Sequence, residues 1–215
     1  MSYRIKEIFY SLQGEGALTG RAAVFCRFAG CNLWSGRDED RAIAACPFCD
    51  TDFVGTNGDG GGEFESPEAL ADFVSSVYRG DRLLIPPMVI LTGGEPLLQV
   101  DRPLLQALHH RQFLIACETN GTIAAPEGID WLTVSPKAGT RIIQQSGSEL
   151  KVVFPQAEVE LHLFAGWSFQ HRFVQPRYAV DAEQYRQNLD AAIEWCLSNP
   201  AWRLSLQTHR HTGIR

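Results

Sequence analysis

Residues 88–96 read Met-Val-Ile-Leu-Thr-Gly-Gly-Glu-Pro. Met88–Leu91 is apolar without alternation, as in a strand covered on both faces. Thr92-Gly-Gly-Glu-Pro96 ends it, because glycine permits unusual backbone angles and proline has no N–H to donate. Asp101 then caps a helix with Leu104, Leu105 and Leu108 on one side. A buried strand, a turn and an amphipathic helix make one unit of a parallel sheet.

The same grammar extends in both directions. Upstream, Ala22–Phe28 is a strand, and Ser66-Pro67 starts a helix carrying Leu70, Phe73, Val74 and Val77. Downstream, Phe113–Cys117, Ile129–Val134, Leu150–Phe154 and Arg172–Gln175 read as strands. Asp181 opens a long helix with the stripe Tyr185, Leu189, Ile193, Cys196 and Leu197, and Arg203–Gln207 reads as a last strand. Crossover helices are missing or short after several strands. The expected fold is therefore α/β, an incomplete (β/α) barrel with a mostly parallel sheet in a single domain over 1–215. In such sheets the chemistry gathers at the carboxyl ends of the strands. Polar groups do cluster there: Thr92–Glu95, Glu118–Gly121, Ser135–Lys137, Gln175 and Gln207–His209.

Bulk properties narrow the function. Apolar residues make up 45% and charged residues 20% of 215 positions, as in a globular protein that needs no disulfide staples. No run approaches the roughly 18 apolar residues that cross a bilayer. The N-terminus lacks the apolar core of a secretion signal, so a cytoplasmic protein without membrane contact is expected. A net charge of −6 argues against direct nucleic-acid binding. The glycine-rich stretch 55–63 reads as a flexible surface loop.

Six cysteines occur, three of them as Cys31-x14-Cys46-x2-Cys49 in a loop spanning 29–53. In a reducing compartment this spacing reads as metal binding. A structural zinc site wants four ligands, and no histidine lies between Cys31 and Cys49. A four-iron cluster on three thiolates would leave one iron open. The cysteines alone do not choose between the two. Cys26, Cys117 and Cys196 fall in apolar segments and read as small core residues.

Taken with Thr92-Gly-Gly-Glu-Pro96, the cysteine loop resembles those of the radical S-adenosylmethionine superfamily. The usual superfamily spacing is C-x3-C-x2-C, and the first gap here is longer. The chain resembles most the 7-carboxy-7-deazaguanine synthase family, some of whose members carry this enlarged gap. The shared segments are Phe9–Gly16, Val24–Trp34, Cys49–Asp52, Thr92–Pro96, Glu118–Gly121, Val134–Lys137, Glu149–Val152 and Gln207–His209.

That resemblance implies a lyase, ring-contracting and carbon–nitrogen-cleaving, of queuosine and other 7-deazapurine biosynthesis. It would hold a [4Fe-4S] cluster on Cys31, Cys46 and Cys49, with S-adenosylmethionine at the open iron. The resemblance assigns the S-adenosylmethionine contacts to Phe48, Asp50, Gly93, Gly94, Glu95, Glu118, Ser135, Pro136, Lys137 and Gln175. It also implies Mg2+ on Thr51, with Asp50 holding its waters. The implied substrate is 6-carboxy-5,6,7,8-tetrahydropterin, against Leu12, Gln13, Gly14, Glu15, Arg27, Thr92, His209 and Arg215. Chemically, Arg27 can fork onto a carboxylate, while Gln13 and Glu15 can read ring N–H and carbonyl groups. Relatives often end in a proline whose carboxylate lies near the site, whereas this sequence ends Gly213-Ile214-Arg215. A reductant such as flavodoxin or ferredoxin and a homodimer are further implications. Two alternatives compete: a radical S-adenosylmethionine activase acting on a protein glycine, and a zinc-stabilised binding module.

Overall fold

In the computed structural model, which describes residues 2–156, 159 and 161–215, the apolar run at 88–91 lies within strand β4 (Met88–Gly93). Val89, Ile90 and Leu91 have no solvent exposure. Its parallel neighbours are β2 (Ala22–Phe28) and β5 (Leu114–Thr119). The parallel run continues through β6 (Trp131–Val134), β7 (Ser146–Phe154), β8 (Ser168–Pro176) and β9 (Arg203–Leu204). On the other side, β1 (Tyr3–Leu12) pairs antiparallel with β2 and with β3 (Gly62–Phe64). The sheet order is β3-β1-β2-β4-β5-β6-β7-β8-β9, so its two edges do not meet. This is the incomplete, mostly parallel barrel that the alternation of elements predicts.

Helix α1 (Pro67–Val77) and helix α2 (Arg102–His110) start at the caps read from the sequence. Ser66 accepts from Ala69 N and Asp101 from Leu104 N. They bury Leu70, Val74, Leu104, Leu105 and Leu108 against Val24, Cys26, Val89, Leu91, Ile115 and Cys117. Each fully buried leucine contributes about 1.5–3 kcal/mol. Between β5 and β6, and again between β6 and β7, the described chain crosses over without a helix. The third long helix, α3 (Ala182–Ser198), covers a second cluster of Leu150, Val152, Val174 and Trp202.

Several elements depart from the sequence reading. β1 escaped it because a bulge between Ile5 and Glu7 breaks the alternation, which puts Lys6 inside at 8% exposure. Lys6 Nζ is satisfied there by Asp52 at 2.7 Å, Val54 O at 2.8 Å and Asn57 at 3.0 Å. The buried residues of α3 are Asn188 and Ala192, and Leu197 is 78% exposed rather than on the inner stripe. Asn188 is tolerated inside because its amide donates to Arg177 O at 2.8 Å. β9 stops after two residues; beyond it the buried Ser205 hydroxyl donates to Gln175 at 3.1 Å, and Gln207 lines the cavity described below. A short helix, α4 (Thr208–Thr212), follows and was not anticipated. Stretch 55–63 lies along β1: Gly58 N donates to Lys6 O at 2.9 Å and Ile8 N to Asp59 O at 2.8 Å, and its end forms β3.

Candidate active site

Carboxyl ends of the parallel strands, the cysteine loop and the C-terminal segment enclose a cavity of about 410 Å³. Cys31, Cys46 and Cys49 all line it, with Phe48, Asp50 and Thr51. Gly93 and Gly94 bring the end of β4 against this loop. A Cβ at Gly94 would fall 2.1 Å from Gly30 O and 2.7 Å from Cys31 Cβ, and one at Gly93 would fall 2.3 Å from Phe28 O. Gly93 also has φ +136°, a conformation open to glycine. The Gly-Gly pair is thus what lets the Cys31 loop sit on β4.

The thiols share one local field. Cys46 donates toward Cys49, which brings Cys49 down to about 6 and pushes Cys46 well up. Burial pushes the Cys31 thiol up. Lys137 lies near enough to favour thiolates at both Cys46 and Cys49. Among the described residues, no three His, Cys, Asp or Glu side chains close around a single-ion position. Three soft thiols on one cavity wall are a donor set suited to an iron–sulfur cluster with one open iron.

Facing them is a compact charged group. Lys151, 5% exposed on β7, pairs with Glu15 and lies 3.6 Å from Glu118. Glu118 also accepts from Gln13 Nε2 at 3.0 Å and Thr92 Oγ1 at 3.1 Å. Gln207 Nε2 donates to Glu15 at 2.9 Å. Burial alone would raise the Glu15 carboxyl, but the Lys151 ammonium and the Gln207 amide bring it down to about 2. Burial would likewise lower Lys151, yet Glu118, Glu15 and Glu149 outweigh it and hold the ammonium charged. Gln207 belongs to the polar rim expected from sequence but without a role there, and Lys151 was not among the expected site residues. The available signal was a lysine within the apolar strand Leu150–Phe154, where an unpaired charge is intolerable.

Other expected residues fall in varied places. Leu12, Gly14, Ser135, Lys137, Gln175 and His209 line the cavity. Lys137 does not pair with Glu118; its Nζ donates to Ser135 O at 2.6 Å and Ser135 Oγ at 2.8 Å, and burial lowers its pKa. Gln175 accepts from Ser205 Oγ at 3.1 Å. Gln13 uses its carbonyl on Gly14 N at 2.8 Å and Glu15 N at 3.2 Å, so it shapes that turn. His209 packs on Gly14, where a Cβ would meet its Nδ1 at 2.4 Å, and burial keeps its pKa low. Arg27 lines the cavity and pairs with Glu7 at 2.8 Å. Arg215 shares Glu7 at 2.5 Å, reaches Asp59 at 2.6 Å and lies 4.6 Å over the Phe9 ring.

Two expectations are not met by position. Glu95 and Pro136 are buried behind the cavity wall rather than on it. Glu95 has no exposure and accepts from Leu97 N at 3.0 Å, Thr119 Oγ1 at 2.8 Å and Asn120 N at 2.7 Å. Its carboxylate ties the ends of β4 and β5 together, and the turn needs all three bonds. Asp50 lines the cavity, but its carboxylate is engaged by Arg210 and by Gln207 Nε2 at 3.4 Å. Thr51 remains as an oxygen donor for a cation that keeps most of its waters.

No protein-family model matches the chain. It is 53% identical to the 7-carboxy-7-deazaguanine synthase of Bordetella pertussis across the full length of both chains. Identity to that of Bradyrhizobium diazoefficiens is 54%, again over both full lengths. Its fold matches the crystal structure of QueE from Escherichia coli with a TM-score of 0.69 and 28% identity, covering 96% of this chain and 94% of that one.

Proposed function

The chain belongs to the 7-carboxy-7-deazaguanine synthase family, and from that membership we propose that it contracts the ring of 6-carboxy-5,6,7,8-tetrahydropterin to give 7-carboxy-7-deazaguanine. The product carries one nitrogen fewer, which leaves as ammonia, so the enzyme is a carbon–nitrogen lyase in the queuosine pathway. Cys31, Cys46 and Cys49 would hold a [4Fe-4S] cluster, and S-adenosylmethionine on it supplies a 5′-deoxyadenosyl radical for hydrogen removal at C6.

The chain's own groups bind and orient. The Gly93-Gly94 backbone, free of side chains, presents its amides and carbonyls beside the cysteine loop. Ser135, Lys137 and Gln175 offer polar atoms on the adjoining strand ends. On the facing wall, Lys151 holds Glu15 as a carboxylate and lies 3.6 Å from Glu118, and both glutamates offer oxygens to N–H groups of the pterin ring. Thr92, already donating to Glu118, fixes that carboxylate's orientation. Arg27 meets the substrate carboxylate, and Thr51 supplies the protein oxygen for Mg2+, a hard cation suited to the same carboxylate. His209, kept neutral near pH 7 by burial, closes the far side.

The carrying observation is that three thiols and the Glu15–Lys151–Glu118 group line one cavity at the strand ends. This favours a small polar substrate over the protein glycine of an activase or a catalytically inert zinc module. Flavodoxin or ferredoxin as reductant, a homodimer and a cytoplasmic location complete the proposal and rest on the family alone. Among the described residues, no helix is long and apolar enough to cross a membrane. The test is anaerobic incubation of reconstituted protein with the tetrahydropterin, reductant and S-adenosylmethionine, followed by mass spectrometry. Appearance of 7-carboxy-7-deazaguanine supports the assignment; 5′-deoxyadenosine without it rejects the substrate.

A further inference from the structure

Taking Cys31, Cys46 and Cys49 as the cluster ligands proposed above, we infer that Arg41 braces the Cys46–Cys49 turn and so positions the iron–sulfur cluster. Fourteen residues separate Cys31 from Cys46. Closing a gap of that length instead of the usual three lowers the chance of presenting all three thiols together by about tenfold for a flexible chain. A long gap therefore needs internal order.

The loop has that order. Its residues Asp38–Ile43 form a 3-10 turn, and Ser35 Oγ donates to Asp40 at 2.6 Å. Trp34 is 8% exposed, packs edge-to-face on Phe53 with centroids 5.7 Å apart, and donates from Nε1 to Arg37 O at 3.0 Å. The Arg41 guanidinium lies 4.1 Å from the Trp34 ring centroid. From this seat, Nη1 donates to Pro47 O and Cys49 O, both at 3.0 Å. Nε and Nη2 hold Asp38 at 3.1 and 3.0 Å.

One nitrogen thus gathers the carbonyls on either side of Phe48. The turn's own closing bond, Cys49 N to Cys46 O, is long at 3.4 Å. The guanidinium is what holds the thiol pair's backbone in one shape. Only arginine suits this role, since a planar fork can stack on an indole while donating in several directions. Arg37 bears the same charge four residues earlier but takes part through its backbone, its carbonyl accepting from Trp34 Nε1 and its N–H donating to Ser35 Oγ at 3.1 Å.

The experiment compares reconstituted wild type with Arg41→Met, Arg41→Lys and Arg37→Met. Iron and sulfide per chain, the rate of bleaching near 400 nm in air and the electron paramagnetic resonance spectrum of the reduced protein are measured. Circular dichroism and thermal melting verify the fold of each variant. Loss of both charge-assisted hydrogen bonds to the turn, at Pro47 O and Cys49 O, predicts bleaching at least about tenfold faster in Arg41→Met, a partial rescue in Arg41→Lys, and wild-type behaviour in Arg37→Met. Equal iron retention and equal bleaching in wild type and Arg41→Met would overturn the brace alone. Wild type that takes up no iron would overturn the cluster assignment, and the brace with it.

Discussion

Replacing Lys151 with methionine tests whether one buried cation organises the substrate wall. The side chains of Lys151 and Glu15 are 6% and 14% exposed, so water cannot substitute for either. Removing one partner of a buried pair costs about 3–5 kcal/mol, because the other charge stays buried without compensation. The depression of Glu15 from 4.5 to about 2, to which Lys151 is the largest favourable contributor and Gln207 a smaller one, corresponds to about 3 kcal/mol in all. For a chain of this size that lowers the melting temperature by about 6–12 °C. The sign with pH follows from the direction of the shift. In wild type the Glu15 carboxylate stabilises the fold above its unfolded value of 4.5 and loses this contribution as pH falls toward about 2. In Lys151→Met the largest opponent of burial is gone and chiefly the Gln207 amide is left against it, so the Glu15 carboxyl rises and protonation becomes the relief. The deficit should therefore be largest at neutral pH and shrink toward pH 5. The acid limb of tetrahydropterin binding should move upward in step. Thermal melts and binding titrations between pH 5 and 8 read both effects. Adding Glu15→Gln to Lys151→Met removes the stranded charge and should restore part of the stability, as a double-mutant cycle would register. A Lys151→Met protein that melts within about 2 °C of wild type at neutral pH would refute the argument.

Three further outcomes follow from the geometry. Gly94→Ala places a Cβ 2.1 Å from Gly30 O; backbone must shift, at about 1–3 kcal/mol, and iron content after reconstitution should fall. Glu95→Gln turns a donor toward the Thr119 hydroxyl or the Asn120 N–H and should cost about 1–3 kcal/mol. That loss should appear in thermal melts without any S-adenosylmethionine, whereas a residue serving only the cofactor would leave the melt unchanged. Leu105→Ala, at 1% exposure on the inner face of α2, should lower unfolding free energy by about 2–5 kcal/mol in denaturant titrations.

Elements with strong local signatures were legible in advance. The buried run at 88–91, the caps at Ser66, Asp101 and Asp181, and the cysteine spacing each carry their meaning within a few residues. β1 was not legible, because its bulge between Ile5 and Glu7 cuts the alternation Tyr3-Arg4-Ile5-Lys6 short and sends Lys6 inward. α3 misled for a related reason. Its apolar residues suggested a stripe through Leu197, but Asn188 finds Arg177 O and takes the buried position, turning the helix. The brevity of β9 depends on Ser205, whose N–H still reaches Val174 O while its hydroxyl serves Gln175 and Gly16.

The candidate site divides along the same line. Its thiol wall lies within 19 residues, Cys31 to Cys49, and a spacing pattern captures it. The opposite wall joins Glu15 to Lys151 across 136 positions, Gln13 to Glu118 across 105 and Glu15 to Gln207 across 192. No spacing rule reaches so far, because those separations are fixed by sheet order and not by local chain geometry. What the sequence does expose is a constraint: a lysine flanked by Leu150, Val152 and Val153 in a buried strand must find anions. Once the sheet order places β7 four strands from β2 around a curved wall, the glutamates at the end of β5 and after β1 are the anions in reach. The fold must then be largely formed before the substrate wall exists. Mutations that loosen the sheet far from the cavity should accordingly weaken tetrahydropterin binding before they disturb the cysteine loop.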